Sequence, residues 1–404
     1  MGAAMTAIEV AEDFAQDAHL FAAMLRAGGP VRRVRMPRGL DCYVVTDFAL
    51  ARALLADSRL HKDNRRAYEL FEAKFPAGAT SQGGFGEALG RHMLNTDPPD
   101  HSRLRKLVNK AFTGRTVARL RPRIEEITTE LLDALAGQER ADLLPSFAAP
   151  LPITVICELL GVAPEDRTEF SAWSKTLLSS STPEDAQHAA QSMLSYLTGL
   201  VEQKRAEPAE DLLSDLVHAS DDGDSLSQDE LISMAFLLLV AGHETTVNLI
   251  ANSVLALLRE PQQLALLRAD PSLMPGAVEE FLRFDGPIHL ATLRFTAEAV
   301  EAGEVTIPAG EFVLISLLGA NRDDERFPDA DRLDVTRAAG GHLAFGHGIH
   351  YCVGAPLARL EAEIALAGLL ARFPGLALDA KPDELRYRYS SLVHGLEALP
   401  VRLR

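Results

Sequence analysis

The chain has 404 residues, 47% hydrophobic and 24% charged, a length and balance that allow a large core around an enclosed group. Its 57 Asp and Glu outweigh 40 Lys and Arg, for a net charge of −17, which excludes a generally basic surface and makes nucleic acid a poor partner. The 3 cysteines, Cys42, Cys157 and Cys352, supply no disulfide framework and fit a reducing compartment.

In chain order, the acidic start (Glu9, Glu12, Asp13, Asp17) lacks the basic and apolar stretches of a signal peptide. Strands are expected over 31–36 and 43–45, with Cys42 as a core residue, and a helix over 47–55. Residues 75–90 carry Pro76, Gly78, Gly83, Gly84, Gly86 and Gly90, the composition of a mobile surface loop with a functional role. From residue 98 helices dominate. A basic helix runs to about Phe112, followed by helices over 122–135, 151–160 (ended by Gly161, with Cys157 inside), 183–205 and 211–218, then a turn at 221–224. Ser227 and Glu230 form a capping box. The helix they open runs to about residue 260, before Pro261, a length of about 50 Å. It is apolar nearly all round over 231–241, so it should cross the core, and that run is too short to span a bilayer. Beyond residue 287 short strands are expected at 293–295, 305–307 and 312–317. A last helix over about 356–373 puts Leu357, Leu360, Ile364 and Leu370 on one face. Together these features point to a cytoplasmic protein without a membrane segment.

The sharpest local pattern is Phe345-Gly346-His347-Gly348-Ile349-His350-Tyr351-Cys352-Val353-Gly354-Ala355-Pro356. Gly346, Gly348 and Gly354 remove side chains that would keep a flat ring from the backbone. Pro356 suits the first turn of a helix. Cys352 therefore precedes a helix N-terminus, where the dipole and free N–H groups favour a thiolate. The alternatives are an inert buried cysteine or a zinc ligand beside His347 and His350, although a structural zinc needs four ligands.

Within the long helix, Ala241-Gly242-His243-Glu244-Thr245-Thr246 interrupts the apolar run. A carboxyl and two hydroxyls there are unfavourable unless paired or facing a wet cavity. Thr245 can bond the carbonyl of Ala241 and loosen the helix, with Gly242 leaving room, so a kinked, hydrated groove is expected. A carboxyl–hydroxyl pair can relay protons; otherwise both groups merely satisfy the backbone. Glu280 and Arg283 share one helix face and His101 and Arg105 another. By spacing alone these are ordinary surface residues.

The segment 345–359 resembles the haem-binding signature of the cytochromes P-450, and the other matches extend that resemblance over nearly the whole chain. It implies a mainly α fold with a small β region, in one domain over 1–404, with the long central helix over the haem and the cysteine loop on its proximal side. It implies haem b, with Cys352 as the iron ligand and Ala241, Phe345, Gly346 and Gly354 against the ring. His101, Arg105, Arg294 and His350 become the partners of the two propionates. Glu244 and Thr245 become the acid–alcohol pair that delivers protons to dioxygen, while the thiolate supplies electron push. Glu280 and Arg283 become a buried structural pair with Arg332 as third partner; Ala330 and Leu333 stand where the family usually has Pro and Phe. Arg103, Lys106 and Lys110 are left facing outward, either as a docking patch for an acidic ferredoxin or as an ordinary solvated face.

The implied reaction is oxidation of an unactivated C–H bond, hydroxylation or epoxidation, with O2 and two electrons. With no flavin or nicotinamide fingerprint in the chain, electrons should come from NAD(P)H through a ferredoxin reductase and a ferredoxin. The runs 151–156, 241–252 and 342–350 resemble actinobacterial macrolide and polyketide hydroxylases. A large, mostly apolar secondary metabolite is therefore the expected substrate, in a pocket of Met93, Val240, Ala241, Ile288, His289, Leu290, Leu392 and the 75–93 loop. The alternatives are a peroxide-driven peroxygenase, a type expected to lack the acid–alcohol pair, and a haem gas or redox sensor, which has no use for Thr245.

Overall fold

Helix Gln228–Arg259 is the axis of the computed structural model, which describes residues 6–74, 89–178, 182–221 and 223–404. The expected capping box sets its start. The Glu230 N–H donates to the Ser227 hydroxyl at 3.3 Å, and the Ser227 N–H donates to the Glu230 carboxylate at 2.8 Å, satisfying two donors that a first turn leaves open. Every side chain from Leu231 to Val240 is buried, as an all-round apolar surface requires. The helix is long and apolar enough to cross a membrane, but most of that stretch lies inside the protein. Around it pack the helices Pro150–Leu160, Pro183–Ala206, Met274–Asp285 and Ala355–Arg372.

Residues 241–246, where a kink is expected, remain within the helix. Thr245 does donate its hydroxyl to the Ala241 carbonyl, at 2.9 Å, but the helix continues unbroken through residues 241–246. The backbone ladder tolerates the extra bond. Gly242 makes room for a neighbour instead. A Cβ there would lie 3.0 Å from the end of the Ile156 side chain, so its absence lets the helix Pro150–Leu160 lie against the axis.

The strand-rich start and the segment after residue 287 meet in a 6-stranded sheet. Its order is Ile8–Glu9, Val31–Arg35, Asp41–Val45, Phe312–Ile315, Arg294–Thr296, Leu60–His61. Alternation sends Val44, Phe295 and Phe312 to one core with Phe14, Phe21 and Leu25, and Val45, Val313 and Ile315 to another with Phe48, Leu54 and Leu55. Cys42 lies in the first of these cores and Cys157 in the main helical core. Val305–Ile307 does not join the large sheet; it pairs with Val300–Ala302 as a separate hairpin. Residues 75–88 of the expected loop, and Asp222 of the expected turn, lie outside the described residues.

Helix Met274–Asp285 carries Glu280 and Arg283, each 0% exposed. They are no surface pair. Arg283 holds Glu280 through Nε at 2.7 Å and Nη2 at 2.8 Å, and its Nη1 donates to the carbonyls of Asn321 at 3.0 Å and Ala330 at 2.8 Å. The third partner is not Arg332. That guanidinium turns outward to Asp334 at 3.4 Å, and Arg332 offers the cluster only its carbonyl, 3.3 Å from Arg283 Nη2. Arg337 reaches Glu280 instead, Nε to Oε1 at 3.2 Å. The turn closed by Arg332 N–H on the Asp329 carbonyl, with Asp329 at φ +54°, aims the Arg332 carbonyl inward and its side chain out.

Candidate functional site

The cysteine loop is shaped by its glycines. Gly346 and Gly348 have φ of +72° and +75°, a region that glycine enters without strain. The Gly346 N–H donates to the Leu343 carbonyl at 2.8 Å and the Cys352 N–H to the Phe345 carbonyl at 3.0 Å, which folds the chain back on itself. A Cβ at Gly348 would lie 2.8 Å from Ala56 Cα, whereas one at Gly354 would meet only the Cys352 sulfur, at 3.8 Å. Gly348 is thus needed for packing, while the space above Gly354 is open for a planar guest. Helix Ala355–Arg372 begins at once, with Pro356 in its first turn. Burial pushes the Cys352 thiol up, and the N–H groups of Gly354 and Ala355, with Arg105 and Arg359, pull it back. The residue is exposed although protein crowds its sulfur, the combination expected of a wall residue in an internal hollow. Arg359 fixes the helix by bonding Glu279 at 2.5 and 2.9 Å. Among the described residues the ligand cluster suited to a metal ion is His19, Asp285 and His394. His347 and His350 do not close on Cys352, which removes the zinc alternative.

Basic side chains from separate segments gather near Cys352. His101 and His350 have ring centroids 4.4 Å apart. Burial, then Lys62, His101, Arg294 and Arg105, hold His350 down at about 2. Arg294 is buried with one bond, from Nη1 to the Thr292 carbonyl at 2.9 Å, and burial lowers it to about 10. His101 is 2% exposed and neither ring nitrogen has a partner. The carboxylate of this region, Asp97, already accepts the N–H groups of Lys62 and Asp63. Buried cations and orphaned imidazole nitrogens with so little counter-charge suit a ligand bearing two carboxylates. The two propionates of haem fit that description, and the open sulfur fits its iron. Lys62 and His92, buried in the same ring, carry no local signal in the sequence.

In the long helix Ala241 is exposed directly after a buried run. Glu244 is not loose in water. Arg388 Nη1 donates to its carboxylate at 3.0 Å, Arg388 Nη2 to Asn248 Oδ1 at 2.7 Å, and Asn248 Nδ2 to the Glu244 carbonyl at 2.7 Å. Thr245 is half-buried one residue on.

Part of the expected substrate wall is core. Leu290 is 1% exposed and packs with Phe14, Phe21 and Phe312. His289 is bonded through Nε2 to the Ser390 carbonyl at 2.9 Å and stacked on Phe14. Isolated bridges from Ile288 to Val393 and from Leu290 to Ser316 hold this segment in place. Ile288 and Leu392 keep part of their surface, while Met93 and Val240 are nearly closed. Arg103 does not face outward either. It pairs with Asp224 at 3.3 Å and with Glu230, stapling helix Asp100–Ala111 to the start of the long helix. Lys106 and Lys110 remain at the surface.

Fold and site together define a mainly helical protein with an open cysteine loop, a group of buried basic side chains and a long core helix. The family model for cytochrome P-450 matches residues 165–393. Cytochrome P-450 107B1 of Saccharopolyspora erythraea is 56% identical over 389 residues, 96% of each chain. The 6-deoxyerythronolide B hydroxylase of the same species is 47% identical over 385 residues, 94% of this chain and 95% of that one. The solved structure of the monooxygenase TamI with tirandamycin C bound superposes with a TM-score of 0.91 at 50% identity, covering 98% of this chain and 100% of that one. The chain belongs to the cytochrome P-450 family of haem-iron enzymes, and it is a monooxygenase that works with O2, a substrate and redox partners.

Proposed function

We propose that the chain acts in the cytoplasm and uses haem b, held through Cys352, to insert one atom of O2 into a large, mostly apolar macrolide or polyketide metabolite. Hydroxylation or epoxidation is the outcome, with electrons from NAD(P)H through a ferredoxin reductase and a ferredoxin. The reading rests above all on an open cysteine at a helix N-terminus and on Lys62, His101 and Arg294, basic side chains buried with little counter-charge. The substrate class is supported by relatives named for 6-deoxyerythronolide B and solved with tirandamycin C.

Haem supplies, when bound, a redox-active iron at which O2 is reduced and its O–O bond cleaved. The rest falls to side chains. Cys352 gives an anionic sulfur, its charge held by the Gly354 and Ala355 N–H groups. His101, Arg105, Arg294 and His350 neutralise the two propionates and lose their own burial penalty in doing so. Ala241 keeps the opening of the long helix bare, with Phe345 and Gly346 below. Thr245 and Glu244 pass protons inward. The Glu244 carboxylate is held by Arg388, which Asn248 Oδ1 also engages, so it must exchange Arg388 for a hydroxyl or water before it relays a proton. Ile288 and Leu392 form part of the apolar wall.

The reduced, carbon-monoxide-treated protein should absorb near the wavelength typical of sulfur-ligated haem; a folded, haem-loaded chain that does not ends the reading. Thr245→Ala should lower product formed per NADPH consumed by roughly tenfold. Unchanged coupling would remove the relay. Macrolactones should shift the haem absorption band by displacing water; a response to steroids or fatty acids alone moves the substrate class.

A further inference from the structure

Lys62 occupies a place that the expected propionate partners leave unexplained. It follows the short strand Leu60–His61, which pairs antiparallel with Arg294–Thr296 at the end of the large sheet, and this pairing brings its side chain beside Arg294. Lys62 is 5% exposed. An ammonium has three donors, yet Nζ bonds to a neutral oxygen, Thr292 Oγ1 at 2.6 Å. Asp97 attracts it only from a distance, because its oxygens are engaged by the Lys62 and Asp63 N–H groups. The other groups it faces are cations or imidazoles. Arg294 repels it, and it in turn repels His92, His101 and His350. One of these, His92, is buried with Nδ1 unpartnered. Nζ therefore stands inside the same ring as the expected propionate partners, on the side of Arg294.

We propose that Lys62 is a further anchor for the carboxylates of the cofactor, its ammonium pairing with the propionate that Arg294 also holds. The proposal rests on the haem reading above. A buried charge is tolerated where it is paired and hydrogen-bonded, and a dianion entering the ring supplies the counter-charge that the chain omits. Thr292 aims the amine meanwhile. Burial and Arg294 disfavour the charged form of that amine, and a propionate beside it would favour that form again.

The test uses holoprotein carrying Lys62→Met, which keeps the bulk of the side chain but no charge, and Lys62→Arg, which keeps the charge. Transfer of haem to excess apomyoglobin is followed at the Soret band. Lys62→Met should lose haem about tenfold faster than the unaltered chain, the scale of one charge-assisted hydrogen bond, with Lys62→Arg close to unaltered. Haem dimethyl ester, whose carboxyls carry no charge, should abolish the difference between Lys62→Met and the unaltered chain. The iron midpoint potential should move negative in Lys62→Met, because a cation that favours the reduced state is gone. Equal loss rates, or a difference that persists with the ester, would reduce Lys62 to a packing residue and overturn the assignment. Lys62→Gln replaces Lys62→Met should the latter not fold. Haem uptake without the sulfur signature defeats the thiolate reading and leaves the Lys62 comparison standing; no haem uptake by the unaltered chain defeats both.

Discussion

Two groups of buried charge in this molecule follow opposite rules. Around Glu280 the account is closed within the chain: Arg283 and Arg337 meet one carboxylate, and the spare donors of Arg283 find the carbonyls of Asn321, Ala330 and Arg332. Around Lys62, His101, Arg105, Arg294 and His350 it is open: the groups are all basic side chains, they depress one another, and both nitrogens of His101 are orphaned. Native proteins leave few buried polar atoms unpaired. A closed cluster therefore serves the fold, and an open one describes the charge of what the protein binds.

The contrast can be broken at its closed end first. Arg283→Met strips Glu280 of its two-point partner and should cost about 3–5 kcal/mol, the penalty of an unpaired buried charge. Urea unfolding should record that loss with and without haem, and a small loss would show that Arg337 suffices alone. At the open end, Arg294→Leu should do the reverse. Apoprotein stability should hold or rise, because a desolvated cation is removed, while haem transfer to apomyoglobin accelerates about tenfold. Parallel loss of apoprotein stability would erase the distinction.

Arg388→Gln probes a pairing intermediate between the two, where a carboxylate of the active wall is held by one distant cation. Product per NADPH should change by roughly threefold to tenfold with the fold intact, together with the solvent isotope effect on turnover. No change in either makes the contact structural. The smallest effect is acid sensitivity at Glu279. Burial alone would raise this carboxyl, but His342 and Arg359 overrule it and hold it at about 2, below its ordinary 4.5. A depressed carboxyl stabilises the fold above pH 4.5, and that share is lost as the pH falls from about 4.5 toward 2. Arg359→Gln should flatten this part of the acid unfolding curve; an unchanged slope places the acid sensitivity elsewhere.

The sequence by itself determined whatever a few neighbouring residues decide. The Ser227 and Glu230 cap, the stop at Gly161, the helix opened by Pro356 and the bond from Thr245 to Ala241 all formed as expected, because their partners lie within one or two turns. The glycine spacing around Cys352 was legible for the same reason, and resemblance to a known signature carried it from a loop to a cofactor. Only the tertiary structure could decide which distant charges meet. Lys62 bonds a residue 230 positions away, Arg388 one 144 away and Arg337 one 57 away, and no local period encodes those separations. Arg332 is the partner expected, and the turn at Asp329 put Arg337 in its place. Leu290 and His289 went to the core because a bridge to Ser316 and a bond to Ser390 fixed their faces. Short-range sterics and hydrogen bonds are written in adjacent residues, whereas burial and charge balance belong to the packed whole.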